Sequence, residues 1–308
     1  MEVIRGLANL RPRHHGSVVT VGNFDGVHRG HQVILDQLHA AAGRLGLPGT
    51  VMIFEPQPQE FFQGQAAPAR LMHWRDKIEA LAAAGVERVL CVRFDARFRA
   101  YTAAAFVDAL LVQALGCRHL VVGDDFRFGC DRSGDFAFLQ GAGARAGFAV
   151  ENTATVELAG GRVSSTRIRA AVRAGDFALA EQLLGRPYAV SGRVMHGDKI
   201  GRTLGVPTAN LPSRRLVSAL SGIYAVEVEG VAASPVPAVA SVGRRPTVNG
   251  SDERIETHLL DFSGDLYGRR IRVVFRHKLR EELKFASLDE LKAAMATDIA
   301  DARAYFGR

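Results

Sequence analysis

The architecture of the first half of the chain follows from one glycine-rich stretch, Val21-Gly22-Asn23-Phe24-Asp25-Gly26-Val27-His28-Arg29-Gly30-His31. The stretch comes after an apolar run, Ser17–Val21, that is typical of a buried strand, and before residues 32–44, whose apolar side chains recur at helical spacing. Its glycines permit tight turns and a close approach of the backbone to a ligand. Because backbone N–H groups at the start of a helix attract phosphate, the stretch predicts a phosphate site between a strand and a helix.

Two histidines of this stretch, His28 and His31, fall one helical turn apart and therefore on the same face. Two imidazoles in that position could donate hydrogen bonds to phosphate oxygens and stabilise the charge that develops during group transfer. Considered alone, the histidines could also be a zinc-binding pair or two surface residues in a turn. The stretch lacks the Gly-Lys-Ser/Thr ending of a P-loop and the GxGxxG pattern of a dinucleotide-binding fold.

Strand-like and helix-like segments alternate through the first half of the chain. Residues 50–54, 88–94 and 119–123 are predicted strands, and residues 76–84 and 102–115 are predicted helices. This alternation predicts a parallel sheet covered by helices, with ligands at the carboxyl ends of the strands. A further predicted helix, residues 177–184, ends at a stop signal formed by Gly185 and Pro187.

The pattern changes after Gly185. Short segments with alternating apolar residues cover 188–194, 222–229, 236–242, 255–260 and 271–275, which predicts a small antiparallel barrel or sandwich. A final helix is predicted over 288–306, with Ser287 as its N-cap and Glu290 completing a capping box. We therefore expect two domains, residues 1–185 and residues 186–308.

Composition narrows the functional classes. The chain has 308 residues, a net charge of +7 and a pI near 9.7, which favours polyanionic partners, either nucleic acid or phosphorylated small molecules. Its three cysteines form no CxxC pair, which argues against a disulfide framework and a structural zinc site. Since no apolar run approaches the roughly 20 residues needed to span a bilayer and no secretory signal is evident, we expect a cytoplasmic protein with no membrane partner.

The glycine-rich stretch resembles the GxFDGxHxGH signature of the nucleotidylyltransferase superfamily, in the variant found in bacterial bifunctional riboflavin kinase/FAD synthetases. Ser164-Ser165-Thr166-Arg167-Ile168-Arg169 resembles the second part of that signature, SSTxIR. Its serines could cap the helix that follows, and an arginine could clamp a triphosphate. The resemblance implies catalytic roles for His28, His31 and Arg169, and ATP or phosphate contacts from Gly22, Asn23, Phe24, Asp25, Gly30, Ser164, Ser165 and Thr166.

Two further segments resemble the flavin-binding elements of the same family. Phe54-Glu55-Pro56-Gln57-Pro58 is similar to its FxPxP turn, in which the position of Gln57 often carries histidine. Residues 123–129 are similar to its GxDFxFG loop, in which we expect Asp125 to hold a polar part of the flavin and Phe128 to pack on a ring. The resemblance thus implies flavin contacts from Phe54, Pro56, Pro58, Asp125 and Phe128.

A second glycine-rich stretch covers residues 192–211. Its glycines, Gly192, Gly197, Gly201 and Gly205, permit a backbone folded around phosphates. Thr208 and Asn210 are oxygen donors on one side of an extended segment, which suits Mg²⁺ bound to nucleotide phosphates. The stretch resembles the riboflavin kinase signature GxVxxGxxxGRxLGxPTAN, and the resemblance implies that Glu256 is the base that accepts the proton of the ribityl 5′-hydroxyl.

The resemblance covers nearly the whole chain. It implies an α/β nucleotidylyltransferase-type, Rossmann-like N-terminal domain with a parallel sheet, and an all-β Greek-key barrel riboflavin kinase domain with a C-terminal helix. The implied enzyme phosphorylates riboflavin to FMN and adenylylates FMN to FAD, using ATP and Mg²⁺, as a monomer or weak homo-oligomer without a nucleic-acid partner. A nucleotidylyltransferase for another phosphorylated metabolite and a flavin- or RNA-binding regulator are the alternatives.

Overall fold

The computed structural model describes residues 1–197, 205–213, 219–247 and 250–308. The chain divides into two compact units. The first comprises Met1–Pro68 and Lys77–Ser164, and the second comprises Ala69–Asp76 and Ser165–Arg308. Within the described ranges, no helix is both long enough and apolar enough to cross a bilayer.

The first unit contains a parallel sheet and its covering helices. The strands are β1 (Glu2–Arg5), β2 (Ser17–Val21), β3 (Gly49–Glu55), β4 (Arg88–Arg93), β5 (Cys117–Gly123) and β6 (Ala149–Thr153), followed by a hairpin of β7 (Glu157–Leu158) and β8 (Gly161–Arg162). The helices are α1 (Arg29–Leu45), α2 (Pro58–Gln63), α3 (Trp74–Ala83), α4 (Ala96–Arg99), α5 (Ala103–Ala105) and α6 (Phe136–Ala146). Helix α3 begins in residues of the second unit and continues in the first.

The six strands pair in the order β1-β4-β3-β2-β5-β6, and every pairing is parallel. From β2 the chain proceeds through β3 to β4 on one side, and then crosses to β5 and β6 on the other. The strand order therefore reverses between β2 and β5, and the crevice at such a reversal is where open α/β sheets bind ligands. The glycine-rich stretch follows β2 directly and so lies at this edge of the sheet.

The predicted parallel α/β fold is confirmed, with differences at the boundaries. Helix α1 begins at Arg29 rather than at residue 32, because His28 already caps it. The predicted helix over 102–115 begins as α5 and continues over Phe106–Ala114 with π-helical winding, in which the Leu115 N–H donates to the Leu110 carbonyl at 3.1 Å. Strands β1 and β6 were not predicted, since each is short and only partly buried.

The second unit is an antiparallel barrel with helices packed on it. Its elements are α7 (Ser165–Ala174), α8 (Phe177–Leu184), β9 (Ala189–Arg193), β10 (Ala209–Ser213), β11 (Gly222–Glu229), β12 (Val236–Thr247), β13 (Gly250–Leu259), β14 (Arg270–Arg280) and α9 (Leu288–Tyr305). The strand order is β10-β13-β12-β11-β14-β9, so β14 returns to lie beside β11 as in a Greek key. A bridge between Met195 and Asn210 nearly closes the barrel, which confirms the predicted architecture.

Aromatic packing joins α8 to the barrel. The Phe177 ring lies 5.8 Å from the rings of Tyr224 and Phe275, and 6.4 Å from that of Tyr188. Burial raises the pKa of Tyr224 to about 12, and its hydroxyl donates to the Ser221 carbonyl at 2.7 Å. These residues form an apolar interior whose burial from water stabilises the unit.

The ends of α8 and α9 follow from local chemistry. Gly185 adopts a left-handed conformation directly after α8, which confirms the predicted helix stop. Ser287 caps α9 by accepting the Glu290 N–H at 3.2 Å, as predicted. The other half of the predicted capping box differs, because the Glu290 carboxylate accepts from Ala286, one residue before the cap, at 2.9 Å.

The three thiols differ in exposure, and this difference predicts their reactivity. Burial raises the pKa of the Cys117 thiol to about 12, and Cys91 is also buried, whereas Cys130 is exposed. Since the thiolate is the reactive form, we expect one thiol, Cys130, to react with iodoacetamide at pH 8 in the folded protein. Peptide mapping by mass spectrometry identifies the labelled residue. Denatured protein is the control, in which all three must react, and labelling of Cys117 in the folded protein would contradict the prediction.

Candidate active sites

The loop between β2 and α1 has a tightly constrained backbone. The Gly22 N–H donates to the Met52 carbonyl at 3.1 Å, which ties the start of the loop to β3. Phe24 and Val27 have positive φ angles of 47° and 41°, which non-glycine residues seldom adopt and which are most unfavourable for a β-branched residue. A Cβ at Gly22 would lie 3.2 Å from the Phe24 ring, so the glycine lets this buried ring fold back against the strand. Strain of this kind is typical of functional sites.

His28 and His31 cap the N-terminus of α1 reciprocally. The His31 N–H donates to His28 Nδ1 and the His28 N–H donates to His31 Nδ1, both at 3.3 Å. The two rings are stacked with centroids 3.6 Å apart. Because each Nδ1 accepts a hydrogen bond, a neutral ring must carry its proton on Nε2. The loop therefore holds two Nε2–H donors side by side, and the predicted proximity of the histidines is confirmed.

Glycine and lysine residues support this pair. A Cβ at Gly30 would lie 3.2 Å from the His28 ring, so a larger residue between the histidines would crowd that ring. Lys77 of α3 is 1% exposed and donates from Nζ to the Asn23 carbonyl at 2.6 Å, while Asp25 is also buried. Lys77 was not among the predicted site residues, although its position four residues before the buried Leu81 places it on the apolar face of the helix.

An aromatic cluster surrounds the end of β3. Phe54 lies 5.9 Å from Phe94 and 5.3 Å from Phe98, and Phe94 in turn contacts Phe61 and Phe62 of α2 at 5.4 and 5.8 Å. Phe61 and Phe62 are exposed to solvent. Of these rings, Phe54 alone was among the predicted site residues. The predicted Pro56 and Pro58 lie in the same segment, Pro56 exposed and Pro58 at the first position of α2.

The predicted flavin loop after β5 contains one charged and one buried residue. Asp125 accepts from the Arg162 guanidinium at 2.6 Å, and both side chains are largely exposed. Phe128 is buried and packs 5.0 Å from Phe106 and 5.4 Å from Phe126. Flavin contacts of Asp125 and Phe128 stay predictions, and Arg162 is an additional charged group that the sequence analysis did not identify.

The second part of the N-terminal motif lies where the two compact units divide. Ser164 ends the first unit, and Ser165, Thr166 and Arg169 form the first turns of α7 in the second. Arg169 donates from Nε to the Ala69 carbonyl. The hydrogen bond fixes the direction of the guanidinium relative to residues 69–76 of the same unit.

In the barrel, strand register brings the predicted kinase residues together. Asn210 of β10 pairs with Glu256 of β13, and Glu256 also pairs with Ser241 of β12. Directly paired residues present their side chains on the same face, with Cβ atoms about 4.5–5.5 Å apart. The Asn210 amide lies 3.5 Å from the Thr208 hydroxyl and 3.3 Å from the Thr208 carbonyl. Thr208, Asn210 and Glu256 therefore form one cluster on the barrel surface.

The glycine-rich stretch before β10 is described in part. A Cβ at Gly197 would lie 2.6 Å from the Asn210 amide oxygen, so this glycine leaves room for the amide. Gly192 lies in β9, and Gly205 has a positive φ of 80°. The predicted phosphate contact Gly201 lies outside the described residues.

Two cavities meet at Thr208. One, of about 270 Å³, is lined by Glu256, His258 and Arg280 of the barrel and by residues of α9 such as Met295. The other, of about 320 Å³, is lined by Pro207, Phe262 and Tyr267. Among the described residues that line them, Thr208 is common to both cavities. A side chain at such a junction can contact the ligands of both cavities.

Charged contacts hold the walls of the cavity beside Glu256. Arg280 of β14 forms a bidentate pair with the buried Asp298 of α9, at 2.6 Å from Nε and 2.7 Å from Nη2. Leu283 and Phe285, which follow β14, line the same cavity. His258 must donate from Nδ1 to the Pro207 carbonyl at 2.9 Å, which ties β13 to the segment before Thr208.

Models of two protein families match the chain. The FAD synthetase family matches residues 10–167, and the riboflavin kinase family matches residues 184–306. The chain is 56% identical to the bifunctional riboflavin kinase/FMN adenylyltransferase of Pseudomonas fluorescens, over 99% of this chain and 97% of that protein. It is 54% identical to the protein of that name from Escherichia coli strain K12, over 100% and 98%, and 47% identical to that from Haemophilus influenzae, over 99% of each.

A solved structure is also similar. The crystal structure described as a macrolide-efflux protein from Streptococcus pneumoniae superposes with a TM-score of 0.81 and 32% sequence identity, covering 98% of this chain and 99% of that one. With both family models and full-length relatives in agreement, the chain belongs to the bifunctional riboflavin kinase/FMN adenylyltransferase family, whose two activities convert riboflavin to FMN and FMN to FAD with ATP.

Proposed function

We propose that the two reactions are divided along the chain, with adenylyl transfer carried by residues 1–185 and riboflavin phosphorylation by residues 186–308. The change from alternating helices and strands to consecutive antiparallel strands after Gly185 supports this division. The observation that supports the kinase assignment most strongly is the direct pairing of Asn210 with Glu256, next to Thr208 and at the junction of two cavities.

In the proposed kinase reaction, the 5′-hydroxyl of riboflavin attacks the γ-phosphorus of ATP, and ADP leaves. Glu256 accepts the hydroxyl proton, which makes the attacking oxygen more nucleophilic. The cavity lined by Glu256, Arg280 and α9 is the proposed riboflavin site, and the cavity lined by Tyr267 is the proposed nucleotide site. In this arrangement Thr208 contacts the phosphate that passes from one cavity to the other.

The residues beside Glu256 fit a magnesium ion. The Thr208 hydroxyl and the Asn210 amide are hard oxygen ligands of the kind that Mg²⁺ prefers, and Gly197 leaves space at the amide. Both ligands are neutral, so the ATP phosphates would supply the negative charge of the site. When bound there, the ion would offset the charge that develops on the transferred phosphoryl group. In this proposal the side chains of Thr208 and Asn210 would hold the ion, and Glu256 remains the proton acceptor.

In the proposed adenylyl-transfer reaction, an oxygen of the FMN phosphate attacks the α-phosphorus of ATP, and pyrophosphate leaves. The attacking phosphate is already anionic, so no protein base is required. The Nε2–H groups of His28 and His31 would donate to phosphate oxygens as charge develops, because their Nδ1 atoms are occupied by backbone N–H groups. Arg169 and the hydroxyls of Ser164, Ser165 and Thr166 are the proposed ligands of the triphosphate, with Asp125, Phe128 and the residues around Phe54 as ligands of the flavin.

We also propose that the enzyme works in the cytoplasm as a monomer or weak homo-oligomer, without a nucleic-acid partner. The three free cysteines, two of them buried, support a reducing compartment. The motif residues of both reactions come from one chain, which supports activity without a stable partner.

The histidine pair yields a first test. We expect His28→Asn to reduce FAD formation from supplied FMN by about 100-fold or more, because a donor to the reacting phosphates is lost. Asparagine is itself a good N-cap, so the free energy of unfolding should fall by less than about 1 kcal/mol. Phosphorylation of riboflavin by the same protein is the internal control and should persist. FAD formation at the wild-type rate would contradict the assignment of His28.

The kinase base yields a second test. We expect Glu256→Gln to reduce FMN formation from riboflavin by about 100-fold or more, since the amide cannot accept the hydroxyl proton. Conversion of supplied FMN to FAD should be unchanged, as measured by chromatography of the flavins. The matched control is Glu229→Gln, which removes a carboxylate that pairs with Arg272 on the barrel surface. Equal loss of activity in both variants would point to a structural effect instead.

The space at Gly197 yields a third test. A Cβ 2.6 Å from the Asn210 amide oxygen must displace that side chain, so we expect Gly197→Ala to raise the Mg²⁺ concentration needed for half-maximal FMN formation severalfold. The measurement is a magnesium titration of riboflavin phosphorylation. Gly43→Ala, at a glycine with nothing within 4 Å of the added carbon, is the control and should leave the titration unchanged. An unaltered titration for Gly197→Ala would argue against Asn210 as a metal ligand.

A further inference from the structure

A buried amide donor lies unsatisfied at the end of the parallel sheet. The Gln57 side chain is 5% exposed, and its Nε2 atom has no hydrogen-bond partner among the described residues. Leaving a buried donor unpaired costs about 1–3 kcal/mol. Such groups are uncommon in native proteins, and an ordered water, an ion or a bound ligand is the usual partner.

The backbone of Gln57 is fixed on both sides. Its N–H donates to the Glu60 carboxylate at 2.8 Å, and its carbonyl accepts from the N–H groups of Glu60 at 2.9 Å and Phe61 at 3.2 Å. These bonds form the first turn of α2 and leave the residue little freedom. The backbone that carries the amide is therefore fixed before any ligand binds, and burial restricts the side chain, as expected of a binding group in a prepared site.

Gln57 lies between two features that suit different parts of a flavin nucleotide. It follows β3, whose neighbour β2 leads into the histidine loop, and the Gly22 N–H ties that loop to β3. On either side of it in the chain are Phe54 and Phe61, which belong to the aromatic cluster around Phe94. A flavin nucleotide has a flat ring that packs on aromatic side chains and several oxygen and nitrogen atoms that accept hydrogen bonds.

We propose that Gln57 donates from Nε2 to an acceptor atom of FMN in the adenylyl-transfer site, and so determines the affinity for the flavin substrate rather than for ATP. The inference rests on the proposed placement of adenylyl transfer in residues 1–185. The acceptor atom of FMN would be a neutral or anionic oxygen, or an unprotonated ring nitrogen. In the free enzyme the donor lowers stability, and substrate binding satisfies it.

The test uses Gln57→Met, which keeps the length of the side chain and removes the donor. A neutral hydrogen bond contributes about 0.5–1.5 kcal/mol, so we expect the KM for FMN in FAD formation to rise about threefold to tenfold. The KM for ATP should change less than twofold. The Tm should stay equal or rise, because an unsatisfied buried amide has been removed. A purely structural residue would instead lower the Tm and leave the KM for FMN unchanged.

Two further variants make the test specific. Gln59→Met makes the same change at an exposed position in the first turn of α2, and should leave both KM values and the Tm unchanged. Gln57→His restores a ring N–H donor, and should return the KM for FMN part of the way to the wild-type value. Riboflavin phosphorylation is the internal control for folding in every variant.

The outcomes separate this inference from the proposed function. An increase in the KM for ATP alone, or a lower Tm with unchanged KM values, would overturn the role of Gln57. FAD formation that survives His28→Asn would overturn the placement of adenylyl transfer, whatever the result at Gln57. The combination of a raised KM for FMN, a retained Tm and partial rescue by histidine would support the proposal.

Discussion

Hydrogen bonds between β2 and its parallel neighbours hold the histidine loop at the carboxyl edge of the first sheet. Residues of β2 pair with β3 on one side and with β5 on the other, and the chain reverses direction across the sheet between β2 and β5. The loop that leaves β2 must therefore enter the crevice at this reversal. Its left-handed residues, its reciprocal histidine caps and its contact with Lys77 all depend on that starting point.

The barrel uses strand register for the same purpose. Asn210 and Glu256 are 46 positions apart in the sequence, and they become neighbours because β10 pairs with β13. Since successive side chains of a strand point to opposite faces, a shift of one residue would turn Glu256 away from Asn210 and Ser241. The ion pair of Arg280 with Asp298 then holds α9 as a wall of the adjoining cavity. The strand register thus brings the proposed kinase residues together, and α9 encloses the cavity beside them.

The proposed adenylyl-transfer site holds several residues in positions that are unfavourable in the free protein. Phe24 and Val27 adopt strained backbone angles, Lys77 is buried, and the amide of Gln57 has no acceptor within the described ranges. A strained backbone angle and an unsatisfied buried amide each lower the stability of the folded chain. The apolar core on the faces of the parallel sheet offsets that cost. Natural enzymes commonly combine a stable scaffold with such locally unfavourable sites.

Local sequence was sufficient to predict most strands and helices and the change from parallel to antiparallel strands along the chain, because periodicity and turn chemistry act over a few residues. It also predicted that His28 and His31 are neighbours, since a helical turn separates them. It did not reveal the π-helical winding of Phe106–Ala114. Several groups owe their environment to residues distant in the chain, namely Lys77, Gln57, His258 and the Arg280–Asp298 pair. Their burial and partners arise only when strands and helices pack together, so tertiary structure alone decided them.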